Sequence, residues 1–180
     1  DLPLLTDAER RQLVGGWSGA AAAVASTGTQ GAHTLFEAQV ERTPGAAAVE
    51  YAGVRTTYAQ LNQRANRLAH HLLTLGVRTD VRVGLCVERS ADLLVGVLGV
   101  LKAGGAYLPL DSRWPRARLA GLLADSGTAL TIVSGATAAA VPDAGVRLPL
   151  ERLPHGLPDG NPGVRTGAAD LAYVLYTSGS

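Results

Sequence analysis

Cysteine, methionine and long apolar runs are scarce or missing in this chain of 180 residues. The single cysteine, Cys86, cannot form an internal disulfide, so a reducing, cytoplasmic compartment is expected. The longest apolar run, Leu93 to Leu101, is well short of the ~20 residues that span a bilayer, so no membrane helix is predicted. Methionine is absent even at position 1, which predicts an internal piece of a longer polypeptide.

Charged residues are also sparse, and their signs nearly balance, with 16 lysines and arginines against 15 aspartates and glutamates. The net charge of +1 supplies no strong field to attract nucleic acid or anionic lipid. The densest basic cluster is interpreted as the solvated face of a helix, and it consists of Arg113, Arg116 and Arg118 around Trp114. With 47% apolar residues, the chain is expected to fold as one globular domain.

The residue spacing indicates no metal site and none of the common nucleotide or hydrolase motifs. His70 and His71 are adjacent, so on a helix their side chains point about 100° apart and cannot both reach one metal ion. His33 and His155 have no cysteine or carboxylate partner at ligand spacing. There is no Walker A pattern, no G-x-G-x-x-G after a strand and no G-x-S-x-G elbow. No metal ligand or catalytic residue is therefore assigned.

The chain divides by composition into residues 1–31 and residues 32–180. Thr6 and Glu9 have the spacing of a capping box, which predicts a short helix near the beginning of the chain. From Gly19 to Gly31 small residues dominate, and such a composition buries little surface and is typical of a linker. The compact domain is therefore expected to begin near residue 32.

Residues 32–180 alternate between helical and strand-like patterns. Thr57 and Gln60 form a second capping box, and apolar residues then recur at helical spacing until Gly76. The alternation predicts an α/β fold in which β-α-β units build a parallel sheet. The predicted helices are His33 to Arg42, Tyr58 to Gly76, Ala91 to Ala103 and one that begins at Pro115. The predicted strands are Ala47 to Tyr51, Val54 to Thr56, Val81 to Val87, Ala106 to Leu110 and Ala129 to Val133.

The last ten residues carry the most informative local pattern. Leu171 to Tyr176 is apolar and rich in strand-forming residues, which predicts a strand buried on both faces. The next four residues offer hydroxyl groups, a glycine and backbone N–H groups that can converge on a phosphate, and they are Thr177, Ser178, Gly179 and Ser180. Pro142 to Gly163, which contains five prolines and four glycines, is expected to be an irregular surface connection.

Three motifs occur in a fixed order: TTYAQL at 56–61, LKAGGAYLPLD at 101–111 and LAYVLYTSGS at 171–180. Together they resemble the adenylate-forming enzymes, and specifically the adenylation domains of nonribosomal peptide synthetases. The first two are interpreted as structural, and the third matches the opening of the family's phosphate loop, which elsewhere continues Thr-Gly-x-Pro-Lys-Gly. The sequence departs from the family pattern, without touching that loop, at Thr56, Gln60, Ser112, Trp114 and Ala117.

The resemblance implies an α/β fold: the N-terminal part of the large two-sheet β-α-β subdomain of an adenylate-forming enzyme, preceded by a helical linker. Residues 1–31 resemble a linker between condensation and adenylation domains, and residues 32–180 resemble an adenylation domain truncated in its phosphate loop. The parent enzyme would be an ATP-dependent, AMP-forming ligase that makes an aminoacyl adenylate. Thr177 to Ser180 would grip the β- and γ-phosphates of ATP, and Mg²⁺ would share the phosphate charge.

The same resemblance implies the partners: an amino-acid substrate, and the carrier and condensation domains of one assembly line. The acyl group would pass to phosphopantetheine on the carrier domain. The isolated chain is expected to be inactive, because the remaining substrate contacts of the family lie beyond Ser180. Two alternatives stay open: a stand-alone acyl-CoA or aryl-acid ligase, and a noncatalytic scaffold that retains a ligase-like half-fold.

Overall fold

The computed structural model describes Thr6, Ala8, Glu9, Gln12 and residues 31–143 and 145–177. The predicted linker and Ser178 to Ser180 therefore lie almost entirely outside the described residues. The predicted capping box near the beginning is confirmed, because the Thr6 backbone N–H donates to Glu9 Oε2 at 2.8 Å and the Glu9 N–H donates to Thr6 Oγ1 at 3.3 Å.

Four helices and six strands alternate along residues 31–143 and 145–177. The helices are α1 (Ala32–Arg42), α2 (Tyr58–Thr74), α3 (Ala91–Lys102) and α4 (Arg116–Asp125). The strands are β1 (Ala47–Tyr51), β2 (Val54–Thr57), β3 (Arg82–Cys86), β4 (Ala106–Pro109), β5 (Leu130–Val133) and β6 (Val146–Pro149). Within the described part of the chain, no helix has the length and apolar character that crossing a bilayer requires.

Helix α2 forms where its capping box and its apolar spacing predict. The Gln60 N–H donates to Thr57 Oγ1 at 3.3 Å, and the Thr57 N–H donates to Gln60 Oε1 at 2.9 Å. After the last turn, Gly76 takes a φ of +85°, and the Val77 N–H returns to the Leu72 carbonyl at 3.0 Å. A left-handed glycine just beyond the helix is the usual way to satisfy its last carbonyls.

The strands form two sheets, as the α/β prediction requires. Strands β1 and β2 pair as an antiparallel hairpin, whereas a four-stranded parallel sheet has the order β4-β3-β5-β6. The turn from α3 into β4 depends on Gly104 and Gly105: Gly104 has a φ of +83°, and the Gly105 N–H donates to the Val100 carbonyl at 3.0 Å. The structural role predicted for these glycines is confirmed.

The parallel sheet is covered on both faces, so its strands are nearly all apolar. Val83, Leu85 and Ile132 point to the face that packs on α2 and α3, and Cys86 and Leu108 point to the other face. The second face packs on α4 through Leu119 and Leu123. Cys86 is fully buried, and this burial raises the pKa of its thiol, as expected for a cysteine that fills the core.

The prediction of an irregular connection from Pro142 to Gly163 is wrong for the first half of that segment. It contains strand β6, which pairs parallel to β5, and a 3₁₀ helix at Leu150–Arg152. Leu148 and Leu150 are buried beneath the sheet edge. Two apolar side chains separated by one proline were too short a pattern to indicate a strand from the sequence alone.

The prediction of a buried strand at Leu171 to Tyr176 is also wrong. The segment makes only an isolated parallel bridge, between Tyr173 and Tyr107 of β4, and the exposed fractions of Tyr173 and Leu175 are 56% and 62%. An apolar sequence becomes a buried strand only when both of its edges and faces find partners. Among the described residues, this segment pairs along one edge only.

Candidate functional site

The chain that leads into the predicted phosphate loop is held by two backbone hydrogen bonds to β4 and by one hydrogen bond to the side chain of Asp80. The Tyr107 N–H donates to the Ala172 carbonyl at 3.2 Å, and the Val174 N–H donates to the Tyr107 carbonyl at 3.0 Å. Upstream, the Leu171 N–H donates to Asp80 Oδ1 at 2.9 Å. Because the bridge to β4 is parallel, the end of this segment lies at the same edge of the sheet as the carboxyl ends of β3, β4 and β5. We call residues 171–177 the edge segment.

The two faces of the edge segment have different surroundings. Val174 and Tyr176 pack against the buried cluster that lines α4. The Tyr176 hydroxyl donates to a carboxylate oxygen of Asp125 at the end of α4, and this hydrogen bond raises the pKa of Tyr176. On the other face the ring of Tyr173 lies 5.7 Å from that of Tyr107, centroid to centroid. The alternation is that of a strand, although only one bridge is formed.

An open cleft of about 650 Å³ lies where β3, β4 and the edge segment end. It is the position at which open α/β sheets usually bind their ligands. Its apolar floor comes from the ends of the strands and from Leu175 of the edge segment, and its polar groups come from the two loops that follow β3 and β4. Those polar groups are Glu88, Arg89, Asp111, Ser112 and Arg113.

The loop after β4 is shaped by Asp111, the last residue of the LKAGGAYLPLD motif. Its Oδ1 accepts from the backbone N–H of Arg113 at 2.9 Å, and its two carboxylate oxygens accept from Arg113 Nε at 3.0 Å and Nη2 at 2.6 Å. These hydrogen bonds lower the pKa of Asp111 to about 2, and the charge of Arg89 acts in the same direction. Asp111 thus turns the chain after β4, which agrees with the structural interpretation of the LKAGGAYLPLD motif.

Two arginines and two carboxylates, Glu88 and Asp111, line the cleft, so its formal charges balance. Arg89 and Arg113 both line it, and a guanidinium group matches the geometry of phosphate or carboxylate oxygens. Helix α3 begins at the same edge, where Ser90 Oγ accepts the Asp92 N–H at 3.2 Å. The predicted helix face of basic residues is confirmed for Arg116 and Arg118, which are exposed on α4, but not for Arg113, which lies in the loop before it. The Cζ of Arg118 lies 4.7 Å from the centroid of the Trp114 ring.

Of the four predicted phosphate-loop residues, the structure describes only Thr177. Thr177 is exposed at the end of the edge segment, two residues after Leu175, which lines the cleft. Ser178, Gly179 and Ser180 lie outside the described residues, so phosphate binding by this tetrapeptide stays a prediction. Among residues 31–143 and 145–177, no group of three or more histidine, cysteine, aspartate or glutamate side chains could hold a metal ion.

Sequence analysis missed two polar features. Lys102 is fully buried at the end of α3, although a lysine at the end of an apolar helix is usually solvated. His70 is not merely a surface residue, because its Nε2 is 2.9 Å from the carbonyl of Gly160. The only sign of a special role for Lys102 in the sequence was its position inside the LKAGGAYLPLD motif. The structural interpretation of that motif rested on its glycines and did not consider the lysine.

Comparison with known proteins extends these observations. The profile of the family described as AMP-binding enzyme matches residues 36–180. The chain is 44% identical over 187 residues to chondramide synthase cmdD of Chondromyces crocatus, and 38% identical over 185 residues to tyrocidine synthase 3 of Brevibacillus parabrevis. Both alignments cover 100% of this chain but only 5% and 3%, respectively, of those proteins.

The fold comparison gives the same answer. The chain superposes with a TM-score of 0.76 and 34% identity on the crystal structure of the nonribosomal peptide synthetase FmoA3 in its α-methyl-L-serine-AMP bound form. The match covers 81% of this chain and 17% of that one. The predicted α/β architecture is therefore confirmed, and the structure adds that the second sheet is an antiparallel hairpin.

Proposed function

The chain belongs to the AMP-binding enzyme family, and on that premise we propose that it is the N-terminal portion of an amino-acid-activating adenylation domain. Residues 1–31 serve as the linker from a condensation domain, and residues 32–180 begin the adenylation domain. The proposal is supported by similarity along the whole chain to two peptide synthases and by structural similarity to a synthetase bound to an aminoacyl-AMP. The partners are the carrier and condensation domains of the same assembly line, in the cytoplasm.

The proposed reaction is attack of an amino-acid carboxylate on the α-phosphorus of ATP. A bond forms between the carboxylate oxygen and phosphorus, the bond to the bridging oxygen breaks, and pyrophosphate leaves with that electron pair. The aminoacyl adenylate then passes its acyl group to the phosphopantetheine thiol of a carrier domain. Thr177, Ser178, Gly179 and Ser180 hold the β- and γ-phosphates, and their donors stabilise charge without acting as nucleophiles.

The position of the edge segment is the structural observation that supports this proposal. It delivers Thr177 to the carboxyl edge of a parallel sheet, beside a cleft lined by Arg89 and Arg113. Mg²⁺ accompanies the phosphates of ATP and neutralises part of their charge. The described residues offer no three-ligand group for it, so none of them is assigned as a magnesium ligand.

Amino-acid-dependent exchange of labelled pyrophosphate into ATP tests the proposal, with the longer protein that contains these residues as the enzyme. Thr177→Val is expected to lower the exchange rate by about tenfold or more, because it removes one phosphate donor. Thr74→Val is the matched control: at the end of α2, Thr74 Oγ1 donates to the His71 carbonyl 2.7 Å away and lies 3.5 Å from His71 Nδ1. Equal rates in the two variants would contradict the assignment of Thr177.

The same assay separates the alternatives. Exchange that depends on an aryl acid or a fatty acid, and not on any amino acid, would favour a stand-alone ligase. No exchange with any carboxylic acid would favour the noncatalytic scaffold. The 180-residue chain alone is expected to show no exchange, and robust exchange by it would contradict the assignment of the remaining substrate contacts to residues beyond Ser180.

A further inference from the structure

Lys102 is the most unusual side chain of the α1-α2-α3 layer, because it carries an ammonium group with no exposed surface. Its Nζ donates to a carboxylate oxygen of Glu37 in α1 and to Asn161 Oδ1 at 3.1 Å, and it lies 6.0 Å from the centroid of the Phe36 ring. Burial lowers the pKa of Lys102, and the hydrogen bond to Glu37 opposes that effect. The cation also lies at the C-terminal end of its own helix, where positive charge is favoured.

Asn161 connects this buried cation to helix α2. Its Oδ1 also accepts from Asn62 Nδ2 at 3.1 Å and from Asn66 Nδ2 at 3.0 Å. Three more contacts from α2 reach the same stretch of chain: Asn66 Nδ2 donates to the Asp159 carbonyl at 2.6 Å, Arg67 Nη2 lies 3.5 Å from Asp159 Oδ2, and His70 Nε2 lies at hydrogen-bond distance from the carbonyl of Gly160. Residues 159–161 are thus fixed to α2 and α3 although they have no regular secondary structure.

The anchored stretch continues directly into the edge segment. Between the two, Val164 lies over the left-handed Gly104, where a β-carbon would be 3.0 Å from Val164 Cγ1. The chain then reaches β4, where Tyr107 forms both backbone hydrogen bonds of the edge segment. Residues 102–107 therefore contact the connection at its beginning, through Lys102, in its middle, through Gly104, and at its end, through Tyr107.

We infer that Lys102 is a positioning residue for the phosphate-binding loop: through Asn161 it fixes residues 159–161, and so sets where the edge segment ends and the loop begins. The inference rests on the proposed function, since it concerns the loop that holds the phosphates of ATP. Lys102 does not touch substrate. Its effect reaches the cleft only through the connection from Asn161 to Thr177.

Asn161→Ala in the full-length protein tests this directly, because it removes the link from Lys102 to residues 159–161 and leaves the Lys102–Glu37 pair in place. Amide hydrogen exchange in residues 171–174 is expected to accelerate about tenfold or more, with the amides of α2 and α3 within about twofold of wild type. Lys102→Met should act in the same direction and more strongly. If Lys102→Met does not fold, Asn161→Ala decides alone.

Steady-state kinetics separate positioning from general destabilisation. Asn161→Ala is expected to raise the KM for ATP about fivefold with the KM for the amino acid within about twofold, because only the phosphate contacts are displaced. A variant that merely unfolds in part would lose active fraction and keep both KM values. Arg64→Ala is the control, since Arg64 also joins α2 to α3, through Asp92, at an exposed site that does not contact residues 159–161.

Unchanged amide exchange at residues 171–174 in Asn161→Ala would overturn the inference, as would faster exchange with an unchanged KM for ATP. A wild-type protein with no pyrophosphate exchange would instead overturn the proposed function. The amide exchange measurement alone would then test whether Lys102 anchors the edge segment. Failure of the inference and failure of the proposed function are therefore distinguishable.

Discussion

Strand β3 and the edge segment are both short, apolar and rich in strand-forming residues, yet their environments differ. Strand β3 pairs with β4 on one side and β5 on the other, and from Val83 to Cys86 it is completely buried. Within residues 31–143 and 145–177, the edge segment pairs only with β4, through one bridge, and its alternate side chains Tyr173 and Leu175 are more than half exposed. Two similar sequences therefore contribute very differently to the stability of the chain.

The comparison shows what an apolar strand sequence specifies. An apolar composition makes a segment compatible with a buried environment. Whether the segment becomes a buried strand depends on neighbouring strands at both of its edges. The edge segment is suited to further pairing, because its backbone groups on the side away from β4 form no ladder within the described residues. Such an edge is a site for association with another strand.

The largest expected effect is on stability, and it is measured by replacing one leucine with alanine in each segment. Leu85→Ala should lower the free energy of unfolding by about 2–5 kcal/mol, because it leaves a cavity under α3, where Leu85 is 2% exposed. Leu175→Ala, at an exposed position, should change it by less than about 0.5 kcal/mol. Urea denaturation followed by circular dichroism measures both. Similar losses of unfolding free energy in the two variants would show that the two segments contribute equally to stability.

The second largest expected effect is on self-association, which should depend on the exposed edge segment and not on the buried strand β3. The exposed edge and its apolar side chains should make the 180-residue chain associate as its concentration rises, and the double variant with Tyr173→Lys and Leu175→Lys should weaken association about tenfold. Sedimentation velocity over a range of concentrations gives the association constant. The matched control is Tyr51→Lys with Val54→Lys, on the exposed β1-β2 hairpin. An equal effect of the control would mean that association does not use the edge segment.

Tyr176→Phe should loosen the edge segment without affecting β3. It removes the hydrogen bond to Asp125, whose net contribution is about 0.5–1.5 kcal/mol, so amide exchange at Val174 should accelerate severalfold. Tyr51→Phe serves as the control, since Tyr51 is exposed on β1. Faster exchange in β3 would show that the two segments open together.

The smallest expected effect concerns the loop after β4. The Arg113 guanidinium holds the pKa of Asp111 at about 2, below its ordinary 3.8. Stability from this carboxylate is therefore complete above pH 3.8 and is lost as the pH falls towards 2. In Arg113→Ala the pKa should return towards 3.8, as measured by NMR titration of the Asp111 carboxyl carbon. An unchanged titration would show that the backbone N–H at position 113 suffices.

Most of the fold could be predicted from local patterns. The capping box of α2, the glycine turn before β4 and strands β1 to β5 were predicted nearly to the residue, because each leaves a clear pattern in the local sequence. Strand β6 escaped prediction, because two apolar side chains separated by one proline are too short a pattern to indicate a strand. The burial of the edge segment was predicted wrongly because it depends on partners that the local sequence does not contain.

The candidate site was less predictable than the fold. The tetrapeptide after the edge segment could be singled out by its hydroxyl groups, but the cleft combines loops that follow different strands. The contacts of buried Lys102 with Glu37 and Asn161 join three positions separated by at least 59 residues. Charges that meet over such sequence distances leave no periodic signal, so only the folded chain reveals them.

The alternation of faces along the edge segment limits where the chain tolerates a change in length. One residue added between Asn161 and Asp170 would change the path of the connection but would not exchange the two faces of the edge segment. One residue added between Leu171 and Tyr176 would exchange inside and outside beyond that point, so Val174 and Tyr176 would leave α4 and the apolar outer residues would take their place. Natural variation in length should therefore occur before the edge segment and be absent within it.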